Sequence, residues 1–409
     1  MGDREWGSKA PKGLPEEVLF CRKCVISNQK PISAIESSHQ AGAKKQTTNF
    51  NDGVCDACRW AEIKESGIDW QARLAELEEL CAKHRRGDGR FDVIVPASGG
   101  KDSRYVAHIL KAQFGMNPLT VTWKPHEFTS IGWDNMQTMV DAGLPNVMFS
   151  PPGDLQRQLS RLAFENLGHP FQPFIIGQRA IGPKLALLYD IRLIFYGENN
   201  AEYGNRIEDN LVPVMDPALF TCFDFFGDRG ADHYVSGLPI AELMEKLHLS
   251  TGDLESYRSP SLTEVKDADI EVHYMSYYRK WVPQENYYYA VQKTGFKPND
   301  TRKQGSFTRY AGIDDIMEDL HYFMQLIKFG MGSCTWDAAQ EVRTGKLERE
   351  EAVVLVRKYD AEPPSQNLPR ILDYLKIDES HFWAVVNEFR SKHLWEESEN
   401  GFVLKNQVT

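Results

Sequence analysis

The run Ser98-Gly99-Gly100-Lys101-Asp102-Ser103 carries the densest chemistry of this chain. It follows a short apolar stretch (91–95) and precedes a helical pattern over 103–113, so a strand feeds a glycine turn that opens a helix. Two glycines let the backbone approach an anion and adopt conformations closed to other residues. The helix start aims free N–H groups at that anion. Ser98 and Ser103 add hydroxyl donors, and Asp102 can hold the magnesium that accompanies a triphosphate. A capped glycine turn without a ligand has the same local pattern. Neither the Walker A spacing nor G-x-G-x-x-G is present.

A second polar cluster ends a later strand pattern (191–199), in Tyr196-Gly197-Glu198-Asn199-Asn200-Ala201-Glu202-Tyr203-Gly204. It reads as a site wall with Glu198 as magnesium ligand or general base, or as a capped turn. Cys21-x2-Cys24 and Cys55-x2-Cys58 supply four thiolates, the set tetrahedral zinc takes at about 2.3 Å. An iron–sulfur cluster is the alternative. With every position filled by protein, the site is structural, and it can fold a segment that lacks its own core. Cys81, Cys222 and Cys334 read as buried packing residues.

Strand patterns at 91–95, 117–123, 146–152 and 191–199 alternate with helical ones at 103–113, 131–142, 154–167 and 178–189. That order predicts α/β architecture with a parallel sheet. An amphipathic helix is expected over 68–86. Beyond 216 the chain reads as mostly helical, at 240–250, 314–329, 337–344, 348–358, 367–376 and 379–394. The expected division is a lead-in and zinc module over 1–66, an α/β domain over 67–215 and a helical region over 216–409. Within the last lies an aromatic run (272–296) with Tyr274, Tyr277, Tyr278, Trp281, Tyr287, Tyr288, Tyr289, Arg279 and Lys280. These suit a sugar-nucleotide surface or plain core packing, as do Lys328 and Arg343.

Acidic residues outnumber basic ones by 58 to 47, a formal net charge of -11. That disfavours a nucleic-acid partner, whose grip rests on clustered Lys and Arg. The N-terminus is charged and lacks an apolar h-region, and Trp6 breaks the myristoylation pattern. Arg179, Lys184, Asp190 and Arg192 interrupt the most apolar stretch, so no membrane segment is expected. The clustered, odd cysteine count fits a cytoplasmic protein.

The string SGGKDS resembles the PP-loop of the N-type ATP pyrophosphatases, which implies ATP cleaved between its α- and β-phosphates. In that superfamily the corner at Thr122 and Trp123 serves the adenosine. The cysteine pairs, the following helix and the loop together (CRKCVISNQ, FNDGVCDACRWAE, IDWQARLAELEELCAKHR, DVIVPASGGKDS) resemble the N-acetyl sugar amidotransferase family of bacterial surface-polysaccharide (LPS O-antigen) biosynthesis. The likeness continues through HPF (169–171), GQ (177–178), YGENNAEYG (196–204), YMSYYRKW (274–281), HYFMQLIKFGMG (321–332) and 337–360, with an insertion between the cysteine pairs. It implies conversion of an acetamido group on a UDP-linked sugar to an acetamidino group, with AMP and pyrophosphate released. Ser98, Gly99, Gly100, Lys101, Asp102 and Ser103 would hold ATP and Mg2+, and Glu198 and Asn199 would line the acetamido side. No glutaminase nucleophile is recognisable: residue 2 is Gly2, and Cys334 sits in GMGSCTWD. Ammonia would come from a separate pair similar to the histidine-biosynthesis glutaminase and cyclase. A tRNA-thiolating PP-loop enzyme and a non-catalytic zinc scaffold are the rival readings.

Overall fold

The computed structural model describes residues 6–31, 33, 38–39, 48–221, 223–224, 233–399 and 401–409. Cys222 and most of the insertion between the cysteine pairs lie outside them. Two short strands, β1 (Phe50–Asn51) and β2 (Val54–Cys55), lead into helices α1 (Asp56–Ser66) and α2 (Trp70–His84). Asp69 starts α2 by accepting from the Gln71 and Ala72 N–H groups, and Leu77 and Cys81 are its buried side chains.

The α/β unit follows as β3 (Val93–Pro96), α3 (Lys101–Ala112), β4 (Pro118–Trp123), α4 (Ser130–Asp141), β5 (Asn146–Phe149), α5 (Gly153–Leu167), α6 (Gln172–Tyr189) and β6 (Leu193–Tyr196). A hairpin, β7 (Tyr234–Val235) and β8 (Leu238–Pro239), and helices α7 (Ile240–Leu247) and α8 (Leu262–Asp267) precede strand β9 (Glu271–Tyr274). The sheet is parallel in the order β5-β4-β3-β6-β9. Strands β3 and β4 are buried along their whole length, as a sheet covered on both faces requires.

Strand β9 lies beyond residue 215, so the sheet is not confined to the expected 67–215 segment. Four residues, Glu271-Val272-His273-Tyr274, are too few for a readable alternation. Their strand is specified by pairing with β6, Leu193 to Tyr196 against Glu271 to Tyr274. After it come α9 (Met275–Tyr278), α10 (Pro283–Thr294), α11 (Met317–Phe329), α12 (Ser333–Arg343), α13 (Arg349–Tyr359), α14 (Leu368–Leu375) and α15 (Glu379–Phe389).

Two cores flank the sheet. Leu77, Val106, Met136 and Trp281 cover one face. On the other, Leu159 and Ile181 share a core with Leu320 and Phe382 of the C-terminal helices. A third core packs Cys21, Cys24, Cys55 and Cys58 with Val25 and Ile26 against Met331, Ala338, Val353 and Val408. The N-terminal cysteine module is therefore seated on the helical C-terminal region.

Helix α6 crosses β4 so closely that a Cβ at Gly177 would lie 2.2 Å from the Trp123 ring. Trp123 is itself stacked on Phe149, with ring centroids 5.3 Å apart, and has no room to retreat. Gly177→Ala is expected to destabilise the protein by about 3 kcal/mol through overpacking. The measurement is the denaturant midpoint; an unchanged midpoint would show that helix and indole can separate freely.

Candidate active site

The strand order turns at β3: β4 and β5 extend the sheet one way, β6 and β9 the other. Such a switch point leaves a crevice at the carboxyl ends of the two diverging strands. Those ends are the Ser98–Ser103 loop after β3 and the Gly197–Gly204 turn after β6.

Gly99 takes φ +87, and a Cβ there would lie 3.1 Å from the Met136 backbone nitrogen. Both facts demand glycine at this position. Gly100 is the N-cap of α3, so the first N–H groups of that helix open toward the crevice. Arg104, fully buried, braces the loop. Its guanidinium donates to the Gly99 carbonyl, the Thr294 carbonyl and the Thr138 hydroxyl, each at 2.8 Å. Lys101 pairs with Asp102, whose other oxygen accepts from Asn286 at 3.3 Å.

The crevice is a cavity of about 350 Å³ lined by all six loop residues, a volume ordinary for small-molecule sites. Glu198 and Tyr203 face it from the β6 turn. The opposite wall is Tyr310, Asp314, Asp315, Glu318, Tyr322, Trp336 and Asp337, with Phe171, Phe174 and Gln178 from the start of α6. Among the described residues, Lys101 is the one basic side chain in this lining.

Six carboxylates face one ammonium, and their burial shows. Burial and the neighbouring Asp102 raise Glu198 to about 6, although the Tyr203 hydroxyl donates to it at 2.7 Å. Burial pushes Glu318 up to about 8, with Asp314, Asp315 and Asp319 adding to the rise against the opposing Lys303 charge. Burial also raises Asp314, which Ser98 hydrogen-bonds, and Asp337. A cavity of this charge admits a polyphosphate together with divalent cations, which carboxylates and phosphate oxygens then share.

The loop residues and Glu198 are thus brought together, while three other expected residues are not in the lining. Asn199 turns its Oδ1 to the Ala201 N–H at 3.1 Å, capping the short helical turn that follows. Thr122 donates to the Ala97 carbonyl at 2.6 Å and receives Asn146, a bridge between strands. Trp123 is 2% exposed and packs in the core. A polar strand end and an aromatic strand end have the same composition whether they cap, pack or bind. In the aromatic run, Tyr274, Tyr278 and Trp281 are buried; Arg279 reaches Gln113 and Lys280 reaches Glu65. None of them lines the cavity. Phe296, which ends the run, does line it, and Tyr287 connects to it by stacking on Tyr310 with centroids 4.2 Å apart. Lys328 donates to the Leu167 carbonyl and Arg343 to the Glu202 carbonyl.

The four N-terminal cysteines converge, all buried, with their sulfurs within 4.8 Å of one another. Cys21 and Cys58 sulfurs are 3.8 Å apart, and Cys24 and Cys55 sulfurs 3.7 Å. Four thiolates in a regular tetrahedron with bonds of about 2.3 Å sit about 3.8 Å apart. The residues therefore fit one mononuclear metal ion. A four-iron cluster puts each cysteine on a different iron, which holds the sulfurs farther apart than this. Neighbouring sulfurs and burial push the Cys55 and Cys58 thiols up, so a cation is what lets all four ionise together.

The parallel sheet with the SGGKDS turn at its switch point, the four-cysteine cluster and the helical C-terminal region are the α/β arrangement that the PP-loop resemblance implies. Residues 304–408 match the family model "LPS biosynthesis protein WbpG-like, C-terminal domain", in agreement with the polysaccharide family that the sequence resembles. The matched segment supplies Tyr310, Asp314, Glu318, Tyr322 and Asp337, the wall opposite the loop. The chain thus joins a loop that resembles the PP-loop to a C-terminal segment that matches the model of WbpG-like LPS biosynthesis proteins. A solved structure, "U34-tRNA thiolase NcsA from Methanococcus maripaludis with its [4Fe-4S] cluster", aligns over 88% of this chain and 90% of its own at 12% identity and TM-score 0.32. No curated protein matches the chain. No helix among the described residues is long and apolar enough to cross a membrane.

The loop and Glu198 were legible in the sequence. Arg104, Tyr203 and the Asp314–Asp337 wall were not singled out, although Tyr203 stands in the quoted YGENNAEYG run and two adjacent aspartates mark YAGIDDI.

Proposed function

We propose that the protein is an ATP-dependent, AMP-forming amidotransferase that converts the acetamido group of a UDP-linked N-acetyl sugar to an acetamidino group. The observation that carries this reading is the opposition of the SGGKDS loop and Glu198 to a wall drawn from the LPS-biosynthesis segment. An amide is a weak electrophile with a poor leaving oxygen. Attack of the acetamido oxygen on the α-phosphorus of ATP releases pyrophosphate, and loss of the amide proton leaves an O-adenylyl imidate. Ammonia adds to that carbon, sheds a proton, and AMP departs with the former amide oxygen.

Ser98, Gly99, Gly100 and Ser103 cradle the polyphosphate, and Lys101 and Asp102 serve its charge and its Mg2+. Glu198 takes the proton from the attacking nitrogen. A carboxyl raised to about 6 is mostly ionised at neutral pH and close enough to it to act as a base. The four-cysteine centre holds structural zinc. Ammonia comes from a separate glutaminase. Burial supports this, because it pushes the thiols of Cys81 and Cys334 up, away from the reactive thiolate.

The test is mass spectrometry after incubation with ATP, Mg2+, ammonium and a panel of UDP-N-acetyl sugars. The expected product has one oxygen replaced by NH, with one AMP per product. AMP formed with bulk tRNA and with no sugar would replace this reading by that of a thiolating enzyme.

A further inference from the structure

Glu202 follows the residues that face the cavity but points away from it. The residue is 7% exposed, and its carboxylate is occupied from a single helix. Trp60 Nε1 donates to one oxygen at 2.7 Å, and Lys64 Nζ to the other at 2.6 Å. Trp60 and Lys64 are one turn apart on α1, hence on one face. That helix begins at the metal centre: Cys55 is its N-cap and Cys58 lies in its first turn. The backbone around Glu202 is held by the same neighbours. Arg343 donates to the Glu202 carbonyl at 3.0 Å, and Lys30 to the Tyr203 carbonyl. Gly204, at φ +90, lies against Ile26, Thr48 and Ala57 of the cysteine module.

A buried ion pair such as Lys64–Glu202 adds little net stability, because desolvation offsets the attraction. What this pair does fix is the place of the turn. Tyr203, the next residue, reaches back to Glu198 at 2.7 Å, and both face the cavity.

We infer that Glu202 is a positioning residue through which the four-cysteine centre holds Tyr203 against Glu198. The role rests on the reading of Glu198 as the base, but the coupling itself is structural and can be read without turnover.

The first experiment is hydrogen exchange on the full chain before and after metal is stripped with a mercurial and chelator. The amides of Glu202, Gly204 and Asn205 bond within the turn and should exchange at least about tenfold faster in the stripped protein, while Arg104, whose amide bonds the Gly100 carbonyl, keeps its protection. Unchanged protection over 202–205 would overturn the inference. The second experiment compares AMP formation by Glu202→Ala, Tyr203→Phe and the double variant. Glu202→Ala should lose about tenfold in rate with ATP affinity within twofold of wild type. The double variant should be no slower than the slower single one, since both act through one contact. Glu202→Gln, which keeps an acceptor for Trp60, should recover part of the rate. Effects that multiply, or ATP affinity falling with rate, would mean that Glu202 only supports the fold. A wild-type protein that forms no AMP with any substrate would defeat the proposed function and leave the exchange result standing.

Discussion

Asp102→Ala should cut AMP formation on the order of a thousand-fold, the several kcal/mol that a correctly placed metal ion lends to a charged transition state. Asp102 stands in the first turn of α3, directly beyond the glycine turn, with its side chain 34% exposed. The other cavity carboxylates are not equivalent substitutes. Asp314 is tied to Ser98, Asp315 accepts from His126, and Asp337 accepts from Ser306 and Thr308. The variant should fold normally. Asp102 gives up a half-buried pair with Lys101 and a long contact to Asn286, and a carboxylate near a helix start is worth only about 0.3–1 kcal/mol. AMP release, melting temperature and metal content measured on one preparation separate these effects. Loss of AMP with the other two unchanged is the expected result. Normal turnover would remove the loop from the nucleotide site. Asp102→Asn should fail similarly, because its shape is kept while the charge that draws Mg2+ is gone.

What the sequence made legible is what it encodes locally. SGGKDS is flanked by its own strand and helix, so a few residues define strand, turn and anion site together. The cysteine pairs are legible for the same reason, since each CxxC supplies two ligands from one knuckle. The opposite wall is encoded differently. Asp314, Glu318 and Asp337 lie some two hundred residues beyond the loop; Asp314 stands just before α11, and Glu318 on α11 and Asp337 on α12 read as ordinary polar positions of amphipathic helices. Only the docking of those helices on the sheet turns them inward. Arg104 shows the converse case. A charged residue in a helix reads as solvent-facing, yet its three acceptors come from the loop, α4 and the end of α10. Gly177 and Gln178 divide one dipeptide between two tasks. The glycine admits the Trp123 ring and the glutamine faces the cavity, a distinction that no local pattern contains.

Cys58→Ala should release the bound metal ion and unfold the N-terminal module. Structural zinc in small modules contributes about 10–16 kcal/mol at neutral pH. A whole domain is stable by only about 5–15 kcal/mol, so a segment that leans on its metal cannot lose a ligand and keep its structure. The module has little else to lean on. Beyond the cysteines, its buried apolar side chains among the described residues are Val25, Ile26 and Ala57, seated on the C-terminal helices, and Trp60, which bonds Glu202. Cys58 is the informative ligand because it also anchors α1, 3.8 Å from the Cys21 sulfur. Metal analysis should fall from one zinc per chain to near none, and limited proteolysis should cut within 21–66 while the sheet and the C-terminal helices survive. A colourless wild-type protein with one zinc distinguishes this centre from an iron–sulfur cluster, which absorbs visible light. If Cys58→Ala keeps one metal per chain and resists protease, the four cysteines are only small apolar residues packed together. Retained structure without metal would instead place the module's stability in its seat on Met331, Ala338 and Val353. Glu202 would then be held by that packing, and stripping the metal would leave the Tyr203–Glu198 contact in place.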